Sequence, residues 1–328
     1  MNTGRRRICI LVLAGFVLIL GLSACASTPD DSALPVVTVW LTQSRALATE
    51  PPPLPATGAP IPLLPTPTSL PPAATPPAPA ALPPEPQPVE FQAADGQVLQ
   101  GAYYPSAVNP APLVVLMHWA GGDQDDWVEV AYWLQNRGLG GRSPNPGGSS
   151  WLDPSWFPPM PAGTSYAVFT FSFRGCDRGC QGFERENWLL DAQAAMLKAS
   201  ELDGVDPLRL AALGASIGAD GAADGCLYLN SQRPNFCQGA LSLSPGDYLT
   251  VLYAEAVSTL GAENPFKPAW CLFAQADAPS AAVCSAAQGE NYTRFEFPGD
   301  AHGMMLISPE IEPNPLELIL DFLAQVLG

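Results

Sequence analysis

The chain of 328 residues has only two histidines, His118 and His302, and few basic residues, with 14 Lys and Arg against 31 Asp and Glu. Its formal net charge of −17 argues against nucleic acid as a partner, because binding phosphates requires a basic surface. The scarcity of histidine leaves any reaction that needs an imidazole base with almost no choice of residue.

The apolar run at the amino terminus, Ile8–Leu22, is too short for a comfortable membrane span of about 20 residues. It follows Arg5–Arg7, as in a secretory signal, and ends in Leu-Ser-Ala-Cys at residues 22–25. This ending resembles the lipobox of bacterial lipoproteins. The resemblance implies a signal peptide over residues 1–24 and an acylated Cys25 that anchors the protein to a bacterial membrane. The alternative is an uncleaved anchor, and both place the rest of the chain outside the cytoplasm.

Proline is unevenly distributed: half of the 38 prolines lie between Pro29 and Pro88. Chain of this composition lacks backbone donors and favours extended conformations over a packed core. We therefore expect residues 25–88 to comprise the lipidated Cys25 and a disordered spacer. A ligand for a proline-binding module is the alternative.

Residues 89–328 are predicted to form one α/β domain of about 240 residues, because strand-like and helix-like apolar runs alternate along it. An opening hairpin and repeated β-α units indicate a mostly parallel sheet of about eight strands with helices on both faces. The predicted strands are residues 89–94, 98–104, 113–117, 166–173, 209–213, 239–243, 270–274 and 293–297. The predicted helices are residues 126–137, 188–202, 217–229, 249–260, 278–288 and 316–327.

Residues 214–218 read Gly-Ala-Ser-Ile-Gly, a G-x-S-x-G match where a predicted strand ends and a helix begins. This context favours a nucleophile elbow, in which a strained turn presents the hydroxyl of Ser216 at the carboxyl edge of the sheet. Serine needs an adjacent base, which in turn needs an orienting acid. His302 and Asp277 each follow a later predicted strand. Asp247 and Asp300 are the alternative acids.

The chain order Ser, Asp, His, with each residue after a strand, resembles that of the α/β-hydrolase family over essentially all of residues 89–328. The resemblance implies that Ser216 is the nucleophile, His302 the base and Asp277 the acid. It also implies an oxyanion hole made by the N–H of Ile217 and by an N–H of the loop at residues 118–122.

That loop reads His-Trp-Ala-Gly-Gly and resembles the His-Gly-x-Gly-Gly loop of the family. Its donor is expected at Trp119 or Ala120, and tryptophan replaces the usual first glycine. The expected role of His118 is to brace the loop. The alternative role, as the base, would break the chain order.

Three further features resemble esterases related to dienelactone hydrolase or bear on substrate access. Arg174-Gly175 resembles the Arg-Gly turn of those esterases, and residues 246–268 are long enough for one helix, so little or no cap is expected. The long segment 138–163 either covers the site with its aromatic residues or packs on the flank of the domain. The implied reaction is hydrolysis of a small carboxylic ester through an acyl-enzyme, without a cofactor. A serine peptidase and a non-catalytic binding lipoprotein are the alternatives.

Six cysteines remain when Cys9 and Cys25 are set aside, an even number that suggests disulfides outside the cytoplasm. Six cysteines allow 15 pairings. Sequence proximity suggests the pairs Cys176–Cys180, Cys226–Cys237 and Cys271–Cys284. Zinc at Cys176 and Cys180 is the competing interpretation, but the histidines for a mixed site are missing nearby, so no metal is expected.

Overall fold

The computed structural model describes residues 80–140 and 152–328, which contain an eight-stranded sheet. The strands are β1 (Gln87–Gln92), β2 (Val98–Tyr104), β3 (Ala111–Met117), β4 (Ala167–Phe171), β5 (Val205–Ala215), β6 (Cys237–Leu243), β7 (Ala269–Ala274) and β8 (Tyr292–Phe297). Their order in the sheet is β1-β2-β4-β3-β5-β6-β7-β8. The strands β1 and β2 form an antiparallel hairpin, and the six strands β3 to β8 are mutually parallel. The predicted hairpin and parallel sheet are confirmed.

Within these two described ranges, six α-helices connect or follow the strands. They are α1 (Val128–Gln135), α2 (Arg185–Ala199), α3 (Ile217–Gln232), α4 (Tyr253–Gly261), α5 (Ala278–Ala286) and α6 (Pro315–Leu327). Between β6 and β7, where a cap would be inserted, α4 is the single helix. Among the described residues, none of the helices has the length and apolar character needed to cross a membrane.

Alternation along the buried strands divides the core into two layers, one on each face of the sheet. In β3, Val115 and Met117 pack in the layer formed with α2, α3, α4 and α5, whereas Val114 and Leu116 pack in the layer formed with α1 and α6. Every residue of β3 is buried, as expected for a central parallel strand. The predicted helices on both faces are therefore confirmed.

Two helices begin later than predicted. The side chain of Asp123 accepts a hydrogen bond from the N–H of Asp125 and opens a 3₁₀ turn, so α1 follows at Val128. It ends at Asn136, whose φ of 49° is left-handed. The start of α4 moves from residue 249 to Tyr253, because Asp247 Oδ1 accepts from the N–H of Tyr253 at 2.8 Å.

Disulfides join Cys176–Cys180, Cys226–Cys237 and Cys271–Cys284, the three pairs that sequence proximity suggested. The second ties α3 to the start of β6, and the third ties β7 to α5.

The predicted signal peptide, Cys25 and residues 26–79 of the predicted spacer lie outside the described residues, as do residues 141–151. Residues that precede β1 already contact the domain. Carbonyl oxygens of Leu82 and Pro84 accept hydrogen bonds from the side chains of Arg137 and Gln135, both at 2.8 Å.

Candidate active site

Ser216 occupies a strained turn between β5 and α3. Its φ of 53° and ψ of −116° lie in a region that L-residues rarely adopt. Its own N–H donates to the carbonyl of Leu243 in β6 at 2.8 Å, which holds the turn against the neighbouring strand. The turn therefore presents the Ser216 side chain at the carboxyl edge of the sheet, the placement expected of a nucleophile elbow.

Both glycines of the motif are required by close packing of the backbone. A Cβ at Gly214 would lie 1.8 Å from the carbonyl oxygen of Gly218. A Cβ at Gly218 would lie 2.3 Å from the oxygen of Met117 and 2.6 Å from that of His118. The amino terminus of α3 thus packs directly on the backbone that leads from β3 into the loop at 118–122.

The structure brings Ser216, His302 and Asp277 together in one hydrogen-bonded chain. The Nε2 atom of His302 lies 2.9 Å from Ser216 Oγ, and its Nδ1 atom lies 2.8 Å from Asp277 Oδ2. Because a carboxylate oxygen can only accept, Nδ1 carries the proton and Nε2 is free to accept from the serine hydroxyl. The Asp277 side chain is buried, whereas that of His302 is 30% exposed. The imidazole is therefore oriented from inside and accessible from solvent.

The loops that carry the acid and the base are joined to each other. Backbone N–H groups of Gln275 and Ala276 donate to the carbonyls of Phe297 and Gly299, both at 2.8 Å. These bonds continue the pairing of β7 with β8 beyond the strand ends. The position of Asp277 is consequently fixed relative to that of His302 by backbone hydrogen bonds between their loops.

The other two candidate acids do not contact His302. Asp247 is engaged with the N–H of Tyr253, and Asp300 is exposed two residues before the histidine. Asp277 is the carboxylate that the geometry selects.

One of the two backbone donors expected of an oxyanion hole, the N–H of Ile217, follows Ser216 directly. Ile217 is the first residue of α3, so its N–H has no carbonyl partner within the helix and lies at the positive end of the helix dipole. The backbone of Met117 and His118, which leads into the loop with Trp119 and Ala120, packs against this end of α3 at Gly218. The N–H of Ile217 is therefore free to stabilise an anion that forms beside Ser216.

Trp119, the departure from the family pattern, has its own polar partner. The indole N–H donates to Asp126 Oδ2 at 2.6 Å. Burial raises the pKa of Asp126, and the hydrogen bond from Trp119 opposes that rise. The ring is thereby fixed along the loop, close to Gly303, which also lies close to the Cβ of Ser216.

His118 is fully buried and bridges two backbone groups. Its Nε2 accepts from the N–H of Phe173 at 2.9 Å, so Nδ1 carries the proton and donates to the carbonyl of Trp119 at 2.7 Å. Burial lowers the pKa of His118 to about 4, which keeps the ring neutral. These contacts match a bracing role for His118.

The turn closed by the Cys176–Cys180 disulfide supports the same loop from outside. The N–H of Cys180 donates to the carbonyl of Ala120 at 2.9 Å, and the N–H of Arg178 donates to Asp123 Oδ2 at 2.8 Å. Sequence reasoning did not find this connection, because spacing alone does not show which loops meet. In the structure these two cysteines form a disulfide, and residues 80–140 and 152–328 contain no group of three side chains that could hold a metal ion.

Arg174 serves packing rather than the site. It pairs with the buried Asp191 of α2 at 2.6 Å and with Asp95 in the hairpin turn. The hydrogen bond from Arg174 lowers the pKa of Asp95 to about 2. This residue therefore ties the hairpin and α2 to the end of β4.

The described part of the long segment, residues 152–163, packs on the flank of the domain. The rings of Trp156 and Phe157 meet edge to face at 4.9 Å, and Phe157 also contacts Trp133 of α1. The indole N–H of Trp133 donates to the carbonyl of Pro158 at 2.7 Å. These contacts match the flank alternative for this part; Trp151 lies outside the described residues.

Tyr248 is a site residue that sequence reasoning missed. Its ring stands edge-on to the His302 imidazole, with centroids 6.2 Å apart and planes at 85°. A usable signal was present, since Tyr248 follows the predicted strand next to the one before Ser216. Carboxyl ends of adjacent parallel strands meet at the same edge of a sheet.

The sequence matches no protein-family model, and no curated protein matches it. Similar solved structures include an esterase of Pyrococcus furiosus, 15% identical, covering 74% of this chain and 94% of its own with a TM-score of 0.50. A thermostable carboxylesterase from a metagenomic library is 16% identical over 76% of this chain and 91% of its own, with a TM-score of 0.51. A hyperthermophilic esterase of Pyrobaculum calidifontis is 14% identical over 76% of this chain and 88% of its own, with a TM-score of 0.52.

These likenesses identify the architecture. The chain has the α/β-hydrolase fold, with a mostly parallel eight-stranded sheet and helices on both faces.

Proposed function

We propose that the protein is a serine hydrolase that cleaves small carboxylic esters through an acyl-enzyme. The observation that carries the proposal is the hydrogen-bonded chain from Ser216 through His302 to Asp277. The esterases of similar fold support an ester rather than another acyl substrate.

In the first half of the reaction, Ser216 Oγ attacks the ester carbonyl while its proton moves to His302 Nε2. The carbonyl oxygen gains negative charge, and the N–H groups of Ile217 and of Trp119 or Ala120 stabilise it. Collapse of the tetrahedral intermediate breaks the bond to the alcohol oxygen, which receives the proton from Nε2. Water then repeats the sequence on the acyl-enzyme and releases the acid.

Asp277 acts through the base. Its carboxylate accepts from Nδ1, which fixes the tautomer and favours the imidazolium formed during each attack. Because Asp277 is buried, water competes weakly for this hydrogen bond.

Labelling with a fluorophosphonate tests the proposal. Ser216 Oγ should displace fluoride and form a bond to phosphorus, so intact protein should gain the mass of one phosphonyl group. Ser216→Ala should lose all labelling and turnover. Ser231→Ala, which removes an exposed hydroxyl from the last turn of the same helix, should keep both.

Unlabelled but folded wild-type protein would reject the hydrolase proposal and favour a binding role. Comparison of p-nitrophenyl esters with peptide anilides then separates an esterase from a peptidase. Faster cleavage of the anilides would overturn the choice of ester.

We further propose that the domain is held outside the cytoplasm by lipid on Cys25, with the proline-rich residues 26–79 as a spacer. Support comes from the sequence around residues 5–25 and from the three disulfides, which suit an oxidising compartment. Protein expressed with its full leader should enter the detergent phase on Triton X-114 partitioning. Cys25→Ser should shift it to the aqueous phase, whereas Cys9→Ser, within the cleaved segment, should not. Equal partitioning of the wild type and Cys25→Ser would reject the anchor.

A further inference from the structure

Tyr248 places a phenol hydroxyl beside the nucleophile, and the mechanism above does not use it. Its ring stands edge-on to the His302 imidazole, and the side chains of Ser280 and Ser216 are close enough to its oxygen to lower its pKa. Burial raises the pKa of Tyr248, and the negative charges of Asp277 and Asp220 raise it further. The phenol is therefore held neutral and keeps its proton for donation.

The backbone around Tyr248 is fixed by the helix that begins at the nucleophile. The N–H of Tyr248 donates to Asp220 Oδ2 at 2.7 Å, and the N–H of Gly246 reaches the same oxygen at 3.4 Å. Asp220 is buried one turn after Ser216 in α3. The first turn of α3 therefore positions both the nucleophile and the phenol.

The loop from β6 to Tyr248 has unusual backbone dihedral angles. Ser244 and Asp247 have φ values of 56° and 54°, which non-glycine residues seldom adopt. A Cβ at Gly246 would lie 2.3 Å from Cζ of Tyr248, so the ring folds back onto this glycine. Strain of this kind persists where surrounding contacts over-determine a position, as they do here.

Strand order decides which side of the substrate the phenol meets. The strand β5, which precedes Ser216, lies between β3 and β6. The oxyanion loop follows β3, on one side. Tyr248 follows β6 on the other side, as do Asp277 after β7 and His302 after β8. The phenol therefore stands on the side from which His302 delivers its proton.

From this placement we propose that the Tyr248 hydroxyl donates a hydrogen bond to the leaving-group oxygen of the bound ester, an inference that rests on the proposed hydrolase function. As the bond between the carbonyl carbon and the alcohol oxygen breaks, its electron pair moves onto the alcohol oxygen. His302 Nε2 supplies the proton that this oxygen keeps, while Tyr248 retains its own. In deacylation the attacking water occupies the same place and receives the same hydrogen bond.

The test compares wild type with Tyr248→Phe on acetate esters whose alcohols differ in acidity: p-nitrophenyl, phenyl, trifluoroethyl and ethyl acetate. Phenylalanine keeps the ring against His302 and Gly246 and removes the hydroxyl alone. We expect kcat/KM for ethyl acetate to fall about 10- to 100-fold, the range for one hydrogen bond to developing charge. For p-nitrophenyl acetate, whose leaving group needs little stabilisation, we expect a fall of about threefold or less.

Tyr228→Phe is the matched control, because Tyr228 lies twelve residues after Ser216 in the same helix, roughly 18 Å along its axis. It should leave all four rates unchanged. An equal loss on all four esters, or no loss on ethyl acetate, would overturn the leaving-group contact while the hydrolase proposal stands. If wild type cleaves none of the esters and is not labelled by the fluorophosphonate, both proposals fail.

Discussion

Asp277→Asn is expected to lower kcat/KM for a p-nitrophenyl ester by about 10⁴-fold with little change in folding. The asparagine amide can donate to Nδ1 of His302 and thereby place the ring proton on Nε2. A protonated Nε2 cannot accept the proton of Ser216, so the nucleophile loses its base. Steady-state kinetics together with circular dichroism of the variant check this result.

The two rejected acids provide matched controls for this substitution. Asp300→Asn changes an exposed carboxylate near His302 and should alter the rate by about threefold or less, because exposed charges are well screened. Asp247→Asn keeps an oxygen for the N–H of Tyr253 and tolerates the positive φ, so it should also stay active. A larger loss in either control than in Asp277→Asn would show that the acid is wrongly assigned.

Gly218→Ala is expected to destabilise the domain by about 3 kcal/mol and to abolish turnover. The new methyl group would meet the carbonyl oxygens of Met117 and His118, which belong to a buried strand end and cannot move aside cheaply. Relief of the clash would push the start of α3 away from the loop at 118–122. The N–H of Ile217 would then be too far from that loop to share an oxyanion with it. Urea unfolding followed by tryptophan fluorescence measures the free-energy change.

Gly225→Ala, seven residues further along α3, is the control for helix propensity and for bulk. There the methyl group would press mainly on the flexible side chain of Met196, at 2.8 Å. Alanine also favours the helix by about 1 kcal/mol, which offsets part of the crowding. Equal stabilities for Gly218→Ala and Gly225→Ala would contradict the close-packing argument.

Local patterns were sufficient to predict most of the architecture. The uninterrupted apolar run in β3 and the turn at Asp95-Gly96 have direct physical meanings, and the structure has a buried strand and a hairpin there. Helix starts were less predictable, because Asp123 caps a 3₁₀ turn that precedes α1 and Asp247 accepts from the first N–H of α4. These side-chain hydrogen bonds depend on loop geometry, which periodicity does not encode.

Sequence predicted the site residues that depend on chain order and missed those that depend on contact. Ser216, Asp277 and His302 each follow a strand, and the sheet brings them to one edge. Tyr248 also follows a strand but carries no recognisable motif. The support that Cys180 gives to Ala120 joins segments 60 residues apart, and only the folded chain reveals it.

The backbone bonds between the acid and base loops limit how the catalytic alignment can vary. The acid loop is paired with the base loop through Gln275 and Ala276. We therefore expect the carboxylate and the imidazole to move together. The serine turn is fastened separately, to Leu243 in the strand between them. The distance from Oγ to Nε2 therefore depends on how β6 separates the serine turn from the two strands that carry the acid and the base.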